Sequence, residues 1–221
     1  MISEELHKIW DELPTGSQLV AISKYHPSSA ILEAYECGQR VFGENHVQEL
    51  IQKASELPTD IEWHFTGHLQ SNKVKYIAPF ISLIHSVDSF KLLKELDKQG
   101  RRAGRKIRCL LELHIAEEDT KYGFTSEELD SLHQSSALKG MEYVEVCGLM
   151  SMATNTDDET RISLDFSRTK HIFDELKERY YSENDNFREL SMGMSDDYHL
   201  ALAHGSTMIR IGTRIFGGRD Y

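Results

Sequence analysis

LVAISKYHPSSAILEAYECGQRVFGENHVQELIQKASELPTDIEWHFTG, residues 19–67, alternates two kinds of segment. Three short apolar runs, Leu19–Ser23, Arg40–Gly43 and Ile61–Gly67, are separated by longer amphipathic stretches. The short runs have the composition of strands and the longer ones the periodicity of helices. Pro27 and Ser28 stand where a helix opens, a place that tolerates proline because the first N–H groups have no intrahelical partner.

The same alternation continues outward. ISLIHSV (Ile81–Val87) precedes SFKLLKELDKQGRRAG, with Ser89 as N-cap, and IRCLLELHIA (Ile107–Ala116) precedes TSEELDSLHQSS, with a capping box from Thr125 to Glu128. EYVEVCGLM (Glu142–Met150) leads to a long helix from about Asp158 to Tyr180. RELSMG (Arg188–Gly193) leads to SDDYHLALAHG, and TMIRIGTRIFG (Thr207–Gly217) closes the chain, with Gly212-Thr213 at the end of the last strand and a short helical turn in IFGGRDY. LQSNKVKYIA supplies the helix after the third strand, and an amphipathic helix leads the chain. Eight βα units in about 200 residues match a compact (β/α)₈ (TIM) barrel, an α/β fold, as one domain over residues 1–221. A doubly wound sheet, the alternative, has fewer strands and a G-x-G-x-x-G turn, which does not occur here.

Charge narrows the function. Among 221 residues, 25 Lys and Arg face 36 Asp and Glu, a net charge of −11. That disfavours nucleic acid and membrane surfaces, both polyanionic, and no apolar run approaches the roughly 20 residues of a membrane span. The acidic N-terminus is neither a signal nor a transit peptide. Three widely spaced cysteines, Cys37, Cys109 and Cys147, fit reduced thiols in the cytoplasm.

In a barrel the functional groups sit at the C-terminal ends of strands. Lys24 follows the first strand, where desolvation favours the neutral, nucleophilic amine; a lysine there also snorkels to the rim or pairs with an acid. SMGMS (Ser191–Ser195), the segment Gly205-Ser206-Thr207 and Gly212-Thr213 offer small and hydroxyl-bearing residues suited to a phosphate, although each alone also reads as an ordinary tight turn. Strand alternation puts Arg210 on the face of Gly212 and opposite Ile209 and Ile211, hence inward. A buried guanidinium needs a carboxylate, a phosphate or a heterocyclic nitrogen. Lysine, phosphate loops and inward arginine together describe a pocket for pyridoxal 5′-phosphate (PLP). His64 and His68, four apart, lack a third metal ligand.

ISKYHP, FGENHVQEL, WHFTGHLQSNK, GLMSMA and LSMGMSDDYHLALAHGSTMIRIGTRIFG together resemble the YggS/PROSC family of pyridoxal-phosphate homeostasis proteins, over about Leu19 to Arg219. The resemblance implies a fold-type-III barrel similar to the N-terminal domain of alanine racemase, with PLP as a Schiff base on Lys24. It implies Arg210 at the pyridine nitrogen, Gly212 and Thr213 with Ser195 and Ser206 at the phosphate, and Asn45 near the ring. The sequence departs from the family pattern at Tyr25-His26, His46 and Thr66.

Arginine donates to a ring nitrogen without protonating it, which leaves a weak electron sink. The opposing tyrosine that racemases of this fold bring from a second domain has no counterpart up to Tyr221. The expectation is a monomeric cytoplasmic carrier or buffer of PLP that passes cofactor to apo-enzymes, with little or no turnover. Two alternatives are an amino-acid racemase or related enzyme recruiting Tyr25, His68, His85 or His199, and a cofactor-free Schiff-base aldolase.

Overall fold

The computed structural model describes residues 1–115, 122–135 and 137–218. Its eight strands are β1 (Gln18–Ile22), β2 (Val41–Glu44), β3 (Glu62–Phe65), β4 (Leu83–Val87), β5 (Ile107–Leu113), β6 (Val144–Ser151), β7 (Glu189–Ser191) and β8 (Met208–Ile211). They close into a barrel in chain order, every neighbouring pair parallel, with β8 pairing back onto β1 through Val20 opposite Arg210. The expected (β/α)₈ architecture is the observed one.

An amphipathic helix α1 (Ile2–Glu12) precedes the barrel, and α2 (Ser28–Glu36), α3 (Val47–Glu56), α4 (Val74–Ile77), α5 (Phe90–Ala103), α6 (Ser126–Gln134), α7 (Glu159–Tyr180), α8 (Tyr198–Ala203) and α9 (Thr213–Phe216) follow the successive strands. Local chemistry sets their ends. Ser89 Oγ accepts from the Leu92 N–H, Thr125 and Glu128 form the reciprocal capping box, and Asp158 accepts from the N–H groups of Thr160 and Arg161. Each such cap is worth about 1 kcal/mol. Gly104 ends α5 in the left-handed region at φ 66°.

Several segments differ from expectation, among them β3, β4 and β7, which are shorter than the runs that predict them. The third crossover is only a 3₁₀ turn (Ser71–Lys73) and the four residues of α4. The final strand stops at Ile211, because Gly212 leaves the extended region at φ −123°, ψ −70° and opens α9. In the sixth strand the expected start at Glu142 gives way to Val144, and the strand runs on to Ser151. Ala116, the expected end of the fifth strand, and Arg219 lie outside the described residues.

The core has two compartments. Alternate strand residues, among them Leu19, Ala21, Phe65, Leu111, Leu149, Ile209 and Ile211, pack outward against helix residues such as Leu50, Leu93 and Phe166. A smaller cluster of Leu83, Leu110, Cys147, Met150 and Met208 is separate from it. Cys109 and Cys147 are buried and all three cysteines are free thiols. Helix α1 is tied to the end of the barrel by Arg214, whose Nε donates to Glu5 Oε2 at 3.1 Å and whose Nη1 donates to Tyr198 Oη; that hydroxyl in turn donates to Glu12 Oε2.

Candidate functional site

At the C-terminal end of the strands a cavity of about 280 Å³ brings together Lys24, Asn45, Ser195, Arg210, Gly212 and Thr213. Six of the seven residues singled out from sequence therefore share one space. Ser206 does not. It stands at the entry to β8, on the side opposite the βα loops, and its Oγ lies 2.8–3.2 Å from the carbonyls of Leu190, Met192 and Met208. The small polar run Gly205–Thr207 is thus a strand-pairing device: Thr207 Oγ1 accepts from the Leu190 N–H at 2.7 Å. Sequence reasoning puts this segment just before the last strand and still groups it with the phosphate loops, which in a barrel lie at strand exits.

Arg210 projects inward as alternation requires and is only 6 % exposed. Its Nη1 donates to Ser191 Oγ at 2.7 Å and its Nη2 to the Ser151 carbonyl at 2.9 Å. Among the described residues no carboxylate lies within ion-pair distance of it; Asp197 and Glu112 act on it only from farther off. Burial lowers its pKa to about 10, so it stays protonated at neutral pH. A buried cation held by neutral acceptors fits a ligand that offers a neutral or anionic acceptor to its remaining N–H groups.

Behind Arg210 runs a chain of neutral groups. Ser191 Oγ lies 2.9 Å from His85 Nδ1, and His85 Nε2 lies 2.9 Å from His64 Nδ1. Burial holds His64 at about 3 and His85 well below its ordinary value, with nearby positive charge adding to both. Each ring therefore carries a single N–H. If Ser191 accepts from Arg210 and donates to His85, and His85 donates to His64, every hydrogen bond of the chain has one donor. On the same side, burial raises the carboxyl of Glu112 on β5 to about 7, with Asp88 adding to the shift and Arg210 opposing it.

The rest of the rim is small and polar. Asn45 Oδ1 accepts from Thr66 Oγ1 at 2.8 Å, which orients the amide with its oxygen toward Thr66. Gly212 allows β8 to approach β1: a Cβ there would sit 2.9 Å from the Ile22 carbonyl oxygen. Lys24 lies two residues beyond β1 and is half-buried. Ser23 and Glu44 beneath it are fully buried, and Ser23 Oγ donates to Glu44 Oε1 at 2.6 Å. Lys53 of α3 donates to Glu44 Oε1, Glu49 Oε1 and the Ser23 carbonyl, each at 2.7 Å. Burial, opposed by Lys53, raises the Glu44 pKa.

Sequence reasoning missed the histidine–serine chain and the Lys53 cluster. The available signals were polar residues set within apolar strands: His64 in IEWHF, His85 in ISLIHSV and Glu44 ending RVFGE. The four residues considered as recruitable bases do not line the cavity. Tyr25 is exposed and bonded to His46 at 2.8 Å, and His68 pairs with Asp88 at 3.0 Å and stacks on Tyr122. His85 belongs to the buried chain, and His199 lies 3.9 Å from Glu12.

An amine, a buried guanidinium and adjacent hydroxyls around a small cavity suit an aromatic aldehyde that carries an anion, so the residues present fit PLP. Comparison with known proteins agrees. Residues 2–220 match the family model described as alanine racemase, N-terminal domain. The chain is 37 % identical over 224 residues to the pyridoxal phosphate homeostasis protein of Aquifex aeolicus, covering 100 % of this chain and 96 % of that one. It is 38 % identical over 213 residues to the protein of that name in Escherichia coli K12, covering 94 % and 88 %. PipY of Synechococcus elongatus, solved with PLP bound, superposes with a TM-score of 0.88 at 38 % identity, covering 98 % of this chain and all of that one. Alanine racemase of Bartonella henselae, at 14 % identity, TM-score 0.74 and coverage of 99 % and 58 %, shares the fold. The chain belongs to the alanine racemase N-terminal-domain family, among the pyridoxal phosphate homeostasis proteins.

Proposed function

We propose that this chain binds PLP through a Schiff base to Lys24 and acts in intracellular vitamin B6 homeostasis as a carrier or buffer with little or no turnover. One observation carries the reading: the Lys24 amine and the buried Arg210 guanidinium line the same cavity as Ser195, Gly212 and Thr213. PipY, solved with PLP bound, supports it. When bound, the cofactor supplies an aldehyde carbon to which a neutral amine adds with loss of water.

The chain's own residues do the rest. Lys24 supplies the amine. Arg210 would face the pyridine nitrogen, donating a hydrogen bond while keeping its proton, and Ser191 and the Ser151 carbonyl hold it in place. Thr213 and Ser195 would donate hydroxyls to the phosphate, with Gly212 beside them, and Asn45 would lie by the ring. With the ring nitrogen left unprotonated, charge developing at a bound amino acid would find little stabilisation, and this favours storage over catalysis.

The working unit is one barrel over residues 1–221, a monomer in the cytoplasm that delivers cofactor to apo-enzymes. Free thiols support a reducing compartment, and among the described residues no helix is long and apolar enough to cross a membrane. Titration with PLP tests the function: wild type develops a visible absorbance band, Lys24→Ala does not, and neither exchanges amino-acid α-protons with solvent. Sustained exchange by wild type would replace this reading with a racemase-like enzyme.

A further inference from the structure

We propose that Lys53 and Glu49 are positioning residues that set the direction of the Lys24 amine by fastening the peptide groups on both sides of it. The inference rests on the reading that Lys24 carries the cofactor. The peptide before Lys24 is held through its oxygen, the Ser23 carbonyl, which accepts from Lys53 Nζ at 2.7 Å. The peptide after Lys24 is held through its N–H, that of Tyr25, which donates to Glu49 Oε1 at 2.6 Å. The two anchors are joined, because Lys53 Nζ also donates to Glu49 Oε1 at 2.7 Å. A third arm reaches Glu44, whose Oε1 accepts from both Lys53 Nζ and Ser23 Oγ.

Stability alone does not account for this cluster. A buried ion pair regains little more than its desolvation cost, and an apolar pair of equal volume serves a fold as well. Here Lys53 is 4 % exposed and Glu44 fully buried, and Glu44 Oε2 is buried with no hydrogen-bond partner. What the charged cluster adds is direction: three acceptors on one ammonium, two of them attached to the backbone around Lys24.

The backbone there needs holding. Tyr25, at φ 68°, is the only non-glycine residue with a positive φ among the described residues. For an L-residue that conformation is strained, because Cβ crowds the neighbouring carbonyl oxygen. The Glu49 carboxylate on the Tyr25 N–H offsets part of that strain, and α3, which carries both Glu49 and Lys53, thereby sets the exit of β1. A lysine side chain leaving a loosened turn would sample many directions, and condensation would lose its preset approach.

The test uses the full chain with Glu49→Ala, Glu49→Gln and Lys53→Met, since Gln still offers an oxygen to the Tyr25 N–H. In cofactor-free protein, amide hydrogen exchange at Tyr25 should accelerate about tenfold or more in Glu49→Ala and Lys53→Met, and by much less in Glu49→Gln. PLP affinity should fall about tenfold in the first two and be restored in Glu49→Gln. The pH at which the visible band of the loaded protein changes should move with affinity, a shift that general loss of stability would not cause. If exchange accelerates while affinity and that pH stay at wild-type values, the inference is wrong. Should Lys53→Met not fold, the Glu49 pair decides alone, since equal affinity in Ala and Gln variants also overturns it. A wild type with no reducible adduct on Lys24 would refute the cofactor reading, a separate outcome.

Discussion

Two walls of the same cavity are supported in opposite ways. Under Lys24 the support is ionic: Lys53 against Glu44 and Glu49, joined by short hydrogen bonds to the backbone. Under Arg210 it is neutral: a serine hydroxyl, a carbonyl and two imidazoles that burial keeps uncharged. The difference follows from what each functional group must do. The lysine must present a direction, which a charged clamp on the peptide groups beside it supplies. The arginine must keep its own charge available to a ligand, so a carboxylate in direct contact would compete for its N–H groups.

The largest effect expected from altering the neutral side comes from Glu112. Its folded-state pKa is raised to about 7, so the stability tied to its protonation is complete below about pH 4.5 and is lost as pH rises through 7. Glu112→Gln cannot ionise and should match wild type near pH 4.5 while exceeding it by about 3 kcal/mol at pH 8 in urea unfolding. Equal stability at both pH values would mean that this wall already accommodates a full charge, and the contrast would fail.

Next comes Arg210→Gln. Loss of a charge-assisted hydrogen bond of about 1.5–3 kcal/mol predicts roughly 10- to 100-fold weaker PLP binding by absorbance titration. Retained affinity would show the arginine wall to be structural.

A smaller effect tests the imidazoles. His64 is held at about 3, so the stability tied to its neutral form is complete above pH 6.5 and declines as pH falls toward 3. At pH 5 the loss is about 2 kcal/mol, which His64→Gln should abolish when unfolding is compared at pH 7.5 and 5. An unchanged pH dependence would show that the ring is protonated in the folded barrel.

The smallest concerns the residue the sequence misplaced. Ser206→Ala should cost about 1 kcal/mol of stability, from its lost contact to strand carbonyls, and leave PLP affinity as it was. Weakened cofactor binding with intact stability would return Ser206 to the site.

Much of this was legible from residue order. Alternation places Arg210 inside and Ile209 and Ile211 outside because strand geometry has a period of two, and it needs no tertiary knowledge. The βα rhythm likewise located Lys24, Asn45, Ser195 and Thr213 at strand exits. Ser206 shows the limit: composition marks small polar loops at both ends of a strand alike, and only strand direction and length separate them. The clamp was less accessible still. Lys53 reads as an ordinary polar helix position, and it reaches Ser23 only because α3 packs against the exit of β1. His64 and His85 stand on neighbouring strands, but their contact depends on register, with His64 opposite Leu83.

Attachment of the cofactor at Lys24 underlies every step above, and borohydride reduction of the PLP-loaded protein followed by peptide mass mapping locates it. A single pyridoxyl adduct on the peptide containing Lys24, absent from Lys24→Ala, is the predicted result. An adduct on another lysine, or none in a protein that has bound cofactor, would contradict it.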